Sequence, residues 1–98
     1  MTNANVAGYQ SLAADGVINT SGAPVDAYGV FINSGAGGAG NVKLYDGTDA
    51  TGTLVWEGDG VTDKGLSFDW GYGKRFPNGC YVDIDTNVAT VVVWYIKL

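Results

Sequence analysis

The sequence predicts an all-β fold: a small antiparallel β-sandwich or a closely related barrel of about seven or eight strands. Three observations carry this. From Val25 onward, apolar runs rich in β-branched and aromatic residues recur roughly every 10 residues, the spacing of sandwiches and barrels. Clusters of Gly, Asn and Asp separate these runs, and the sixteen glycines against two prolines supply tight turns. No segment carries a 3.6-residue apolar stripe long enough for a helix.

A chain of 98 residues supports one hydrophobic core, so residues 1–98 form a single domain with its compact part at 25–98. With 46% apolar and only 15% charged residues the chain is expected to fold. In residues 1–24, Tyr9, Leu12, Val17 and Ile18 stand in a background of Ala, Asn, Ser and Gly. Two readings stay open there: weak strands at Tyr9–Leu12 and Gly16–Thr20, or an extended N-terminal arm that orders on a neighbour.

Period-two alternation assigns the remaining faces. In Val25–Ile32 it groups Tyr28, Val30 and Ile32, with Asp26 on that side at the strand's mouth. Gly35–Gly40 matches G-x-G-x-x-G, but Asn41–Tyr45 continues as a strand where a phosphate-binding loop needs a helix N-terminus. A hairpin loop is therefore expected. Val42 and Leu44 lie opposite Lys43, and Asp46-Gly47 is a turn signal. Thr53–Glu57 places Leu54 with Trp56 and Val55 opposite. Leu66, Phe68 and Trp70 point inward, as do Cys80, Val82 and Ile84. The last strand, Thr90–Lys97, is apolar on both sides: Val91, Val93 and Tyr95 on one, Val92, Trp94 and Ile96 on the other. One side meets the opposite sheet. The other, Val92, Trp94 and Ile96, needs the N-terminal segment or a second subunit to cover it, which makes these three the candidate oligomer interface.

Composition argues against several functions. A net charge of -5 opposes attraction to a phosphate backbone, so nucleic acid is not an expected partner. No stretch approaches the ~20 apolar residues of a membrane span, and no membrane partner is expected. Cys80 is the single cysteine, so no internal disulfide forms, and synthesis in a reducing cytoplasm is expected. Histidine is absent, which removes Ser-His and Cys-His nucleophile pairs and histidine-based zinc sites. Asp46, Asp49, Asp59 and Asp63 fit no calcium loop and read as turn residues. Asp83 and Asp85 share a strand face but have no signalled cleft. Neither an enzyme nor a cofactor is expected.

Aromatics and bases cluster once, in Trp70-Gly71-Tyr72-Gly73-Lys74-Arg75-Phe76. Tyr72, Lys74, Arg75 and Phe76 are the candidate contact to an acidic protein surface or other ligand. The plainer reading is a turn whose Trp70 and Phe76 reach into the core.

Val42-Lys43-Leu44-Tyr45-Asp46-Gly47-Thr48, Gly52-Thr53-Leu54, Phe76-Pro77-Asn78-Gly79-Cys80-Tyr81-Val82-Asp83 and Val91-Val92-Val93-Trp94-Tyr95 together resemble small β-rich virion proteins of tailed bacteriophages. Within that group the chain is most similar to capsid decoration, or cement, proteins; comparable small sandwiches occur at the neck and tail. The resemblance implies a structural protein made in the host bacterial cytoplasm and placed on the outer capsid surface. Its implied partners are the major capsid protein of the same virion and further copies of itself, with a trimer as the favoured homo-oligomer. The alternative from another class is a carbohydrate-binding β-sandwich module, with Trp70, Tyr72 or Tyr81 as a stacking platform.

Overall fold

The computed structural model describes residues 7–19 and 22–98. Eight strands follow in chain order: β1 (Ala7–Leu12), β2 (Gly16–Ile18), β3 (Val25–Ser34), β4 (Asn41–Asp46), β5 (Thr53–Asp59), β6 (Gly65–Phe76), β7 (Cys80–Ile84) and β8 (Val88–Lys97). Each strand of the first half pairs antiparallel with one of the second half: β1 with β8, β2 with β7, β3 with β6 and β4 with β5. The chain is one long hairpin, bent back at the turn between β4 and β5 and then rolled up. Further ladders, β3 with β8 and β4 with β7, join these pairs into two four-stranded sheets, β1-β8-β3-β6 and β2-β7-β4-β5. The protein is a β-sandwich, and this connectivity is that of a jelly roll.

The core fills the space between the two sheets. Val25, Ala27, Val30 and Ile32 of β3 and Val91 and Val93 of β8 face Val42 and Leu44 of β4 and Cys80 and Val82 of β7, all without solvent exposure. Burying each Val, Leu or Ile contributes roughly 1.5–3 kcal/mol, so the centre of both sheets carries most of the stability. The alternation expected for β6, β7 and the inner side of β8 is present: Phe68, Trp70, Ile84 and Tyr95 pack partly buried against that core. Cys80 is a core residue, and burial, with a smaller contribution from the Asp46 charge, pushes its thiol pKa up to about 12.

The N-terminal segment forms strands. β1 pairs with β8 and β2 with β7, so these strands widen each sheet at its edge and cover neither face. Ile18 is fully buried and Leu12 packs on the core. Expected strand at Thr20, and any arm at 1–6, lie outside the described residues.

Three expectations are corrected. In β3 an extra residue, Tyr28, stands between Ala27 and Gly29 against β8, and the ladder to β6 shifts register at the same place. This bulge switches the inward set from Val25 and Ala27 to Val30 and Ile32, and it leaves Asp26 and Tyr28 off the core face. In β5 a second irregularity pairs Leu44 with Trp56 but Tyr45 with Leu54. Trp56 therefore points inward, while Leu54 joins Tyr45 on the other side and is exposed. The glycine loop at residues 35–40 is not a hairpin: β3 and β4 belong to different sheets, so the loop crosses the end of the sandwich. There the buried Ser34 hydroxyl accepts the Gly40 N–H at 3.0 Å.

Candidate docking surface

The ladders fix which side chains share the outer face of the β8 sheet. Cross-strand rows run Tyr9–Trp94–Gly29–Asp69, Ser11–Val92–Phe31–Ser67 and Ile96–Asp26–Arg75. No strand or loop among the described residues lies over them. Tyr9 is 70% exposed and Trp94 41%, while Val92, Phe31 and Ile96 are half-buried between their neighbours. An apolar patch thus occupies the middle of this face, where an ordinary solvent-facing sheet carries polar residues. Val92, Trp94 and Ile96 stand together in it, as their alternation predicts.

Within the patch, Gly29 lies between Trp94 and Asp69 in one row and carries no side chain. The result is a depression of about 320 Å³ lined by Tyr28, Gly29, Ser67, Phe68, Asp69 and Trp94. The β3 bulge creates it, because Tyr28 is the extra residue that stands beside Gly29. A Cβ on Gly29 would sit 2.8 Å from the Phe68 carbonyl oxygen, so strand β6 crosses here too closely for any other residue.

Opposite Tyr28, β6 bulges as well. Gly29 pairs with Asp69 and Ala27 with Lys74, so Trp70, Gly71, Tyr72 and Gly73 loop out against Tyr28 alone. Gly71 takes the left-handed φ of 72° that this excursion needs, and Asp69 Oδ1 accepts its N–H at 3.0 Å. The candidate contact residues of this segment separate. Lys74 Nζ lies 5.1 Å from the Trp70 ring centroid and 5.0 Å from that of Tyr72, and it donates to the Tyr72 hydroxyl at 3.1 Å. Arg75 forks through Nε and Nη2 onto the Asp26 carboxylate, which raises its pKa further. Phe76 is fully buried in the core, so its side chain is not part of the exposed surface. Arg75 therefore stands on the outer face beside Asp26, while Lys74, paired with the core residue Ala27, stays with Trp70 and Tyr72 at the β6 edge.

The opposite face is acidic. Across β7, β4 and β5 runs the row Asp83–Lys43–Glu57, and Asn41 Nδ2 donates to Glu57 and Asp59 at 2.9 Å each. Desolvation, then the carboxylates of Asp15, Asp83 and Asp49, raises the Tyr81 hydroxyl pKa. Tyr81 stands in the β7 sheet and Trp70 and Tyr72 in the β8 sheet, so the three do not form one sugar-stacking platform.

The loop acids serve the turns. Asp46 accepts from the Asn78 N–H and side chain, and Asp49 accepts from Thr51, which lowers its pKa. Asp85 accepts the Asn87 N–H at 2.9 Å. Among the described residues no three His, Cys, Asp or Glu side chains stand together as metal ligands.

The pocket residues Tyr28, Gly29, Ser67 and Asp69 are missed by alternation. A signal existed: a glycine inside an apolar strand, as in Tyr28-Gly29-Val30, marks a bulge or a close approach. Compared with known proteins, the chain matches no family model, no curated protein and no solved structure.

Proposed function

We propose that this chain is a virion structural protein of a tailed bacteriophage, a capsid decoration protein that docks on the outside of the shell through the outer face of its β8 sheet. The observation that carries this reading is the two-sidedness of the sandwich: Tyr9, Val92, Trp94 and Ile96 on one face, Asp83, Glu57 and Asp59 on the other. A decoration protein needs one adhesive face and one that stays solvated and repels other particles. The pattern supplies both. Jelly rolls serve viral shells and lectins alike, so the fold by itself does not choose between them; the turn-and-strand motifs resembling virion proteins add the weight.

The mechanism is burial. A specific contact covers ~800 Å² per partner, about a sixth of this molecule's 5097 Å² surface. A footprint bridging two shell subunits adds that contact to the cost of separating them. Copies held at one junction have high effective concentration, and we place the homo-oligomer, a trimer, there. In free solution the charge of -5 opposes self-association.

Purified shells lacking the protein, mixed with it and imaged by cryo-electron microscopy, test the reading. Added density on the shell exterior, lost with Trp94→Ser, is the expected result. Binding only at the neck or tail overturns the decoration role, and no binding to any particle overturns the virion reading.

A further inference from the structure

We infer that the depression between Tyr28 and Trp94 is a receptor for an arginine side chain projecting from the partner surface. This rests on the reading of the β8 sheet as a docking face and names the chemistry of its central contact. The cavity of about 320 Å³ lies at the small end of binding pockets, the scale of a single side chain. Tyr28 and Trp94 both line it, with the Trp94 ring 3.5 Å from where a Cβ on Gly29 would stand, and a cation is drawn to the face of an aromatic ring, to tryptophan most of all.

The third element is Asp69, in the same row as Gly29 and Trp94. The Gly71 N–H holds its Oδ1 at 3.0 Å and so fixes the carboxylate. Among the described residues the ion pair is that of Arg75 with Asp26, and Lys74 is engaged by Trp70 and Tyr72, so neither base neutralises Asp69. Asp69 is exposed at the rim of the apolar patch, and a carboxylate there costs binding energy when covered by an apolar partner, because it loses water and gains nothing. It gains a charge-assisted hydrogen bond when covered by a cation.

Arginine suits this better than lysine. Its guanidinium is flat, weakly hydrated and able to stack on a ring while its N–H groups reach a carboxylate. The overall charge of -5 steers such a base toward the protein. A second copy is not the donor: the chain has one arginine, Arg75, already committed to Asp26.

The test is a titration of the full ¹⁵N-labelled protein, followed by NMR, with N-acetyl-arginine amide, N-acetyl-norleucine amide and methyl β-glucoside. The arginine probe is expected to shift the Trp94 indole N–H and the Gly29 and Asp69 amides. Asp69→Asn, which keeps an acceptor for Gly71, is expected to weaken it about tenfold, with norleucine amide inert. Shifts from the glucoside in place of the arginine probe, equal affinity in Asp69→Asn, or no shifts there at all, each overturn the inference. Shell binding separates the two ideas. If Trp94→Ser abolishes it and Asp69→Asn leaves it intact, the arginine receptor falls while the docking face stands; if neither variant weakens it, both fall.

Discussion

The Gln10 side chain ties β1 to β2 by donating from Nε2 to the Val17 carbonyl at 3.0 Å. Its Oε1 accepts the Asn19 N–H at 2.8 Å, so one amide bridges the two sheets at their shared edge. Gln10 pairs with Val93, a core residue, which is why its side chain turns inward to reach the other sheet. Gln10→Leu fills similar space but leaves a part-buried carbonyl and N–H without partners. A loss of about 1–3 kcal/mol follows. Urea unfolding measures it, and hydrogen exchange should quicken first at Asn19; an unchanged midpoint would mean that water replaces the amide without cost.

Gly29 is the second point where one atom decides the packing. Gly29→Ala puts a methyl 2.8 Å from the Phe68 carbonyl oxygen, a backbone atom that cannot swing aside. Strands β3 and β6 must separate locally, at about 1–3 kcal/mol. The expected signature is a lower unfolding midpoint together with faster amide exchange around Phe68 and Asp69. A midpoint equal to that of the wild type would contradict the close crossing.

These two residues also mark what the sequence makes legible. Strands β6 and β7 alternate cleanly, and their inward residues, Phe68 and Cys80 among them, follow from period two alone. The same rule fails at Tyr28 and Leu54, because a single extra residue reverses every later side chain and nothing in the alternation announces it. The pairing of β1 with β8 joins opposite ends of the chain, so no local signal specifies it. The apolar stripe Val92, Trp94, Ile96 is readable because it lies on one strand. The pocket beside it is not, since Tyr28, Asp69 and Trp94 come from three strands.

Trp56 and Trp94 are expected to respond very unequally to substitution. Trp56 packs edge-on against Phe68 and Trp70, at centroid distances of 5.1 and 5.4 Å, and closes the side of the sandwich where β5 faces β6. Its truncation to Ala costs about 2–4 kcal/mol, somewhat less than for a fully buried tryptophan. Trp94 stands on the outer face with 41% of its surface in water. Trp94→Ser changes stability by no more than about 1 kcal/mol. Thermal unfolding of the two variants checks the contrast. Equal losses would place Trp94 in the core's energetics and weaken its role as a surface contact.

Cys80 gives the fold an alkaline limit. In the folded protein burial holds its thiol pKa at about 12, against 9.0 for the free group. Well below pH 9 both states keep the proton and the thiol adds no pH dependence. As pH rises from 9 toward 12, the unfolded chain releases a proton that the folded chain retains, so the unfolded state binds fewer protons and stability falls. The slope reaches at most about 1.4 kcal/mol per pH unit. Tyr81, whose pKa is also raised, adds a decline of the same sign at higher pH. Urea midpoints from pH 8 to 10 should therefore drop for the wild type and flatten in Cys80→Ala, whatever that variant loses at neutral pH from its smaller side chain. Parallel curves for the two proteins would show that the buried thiol is not the group responsible.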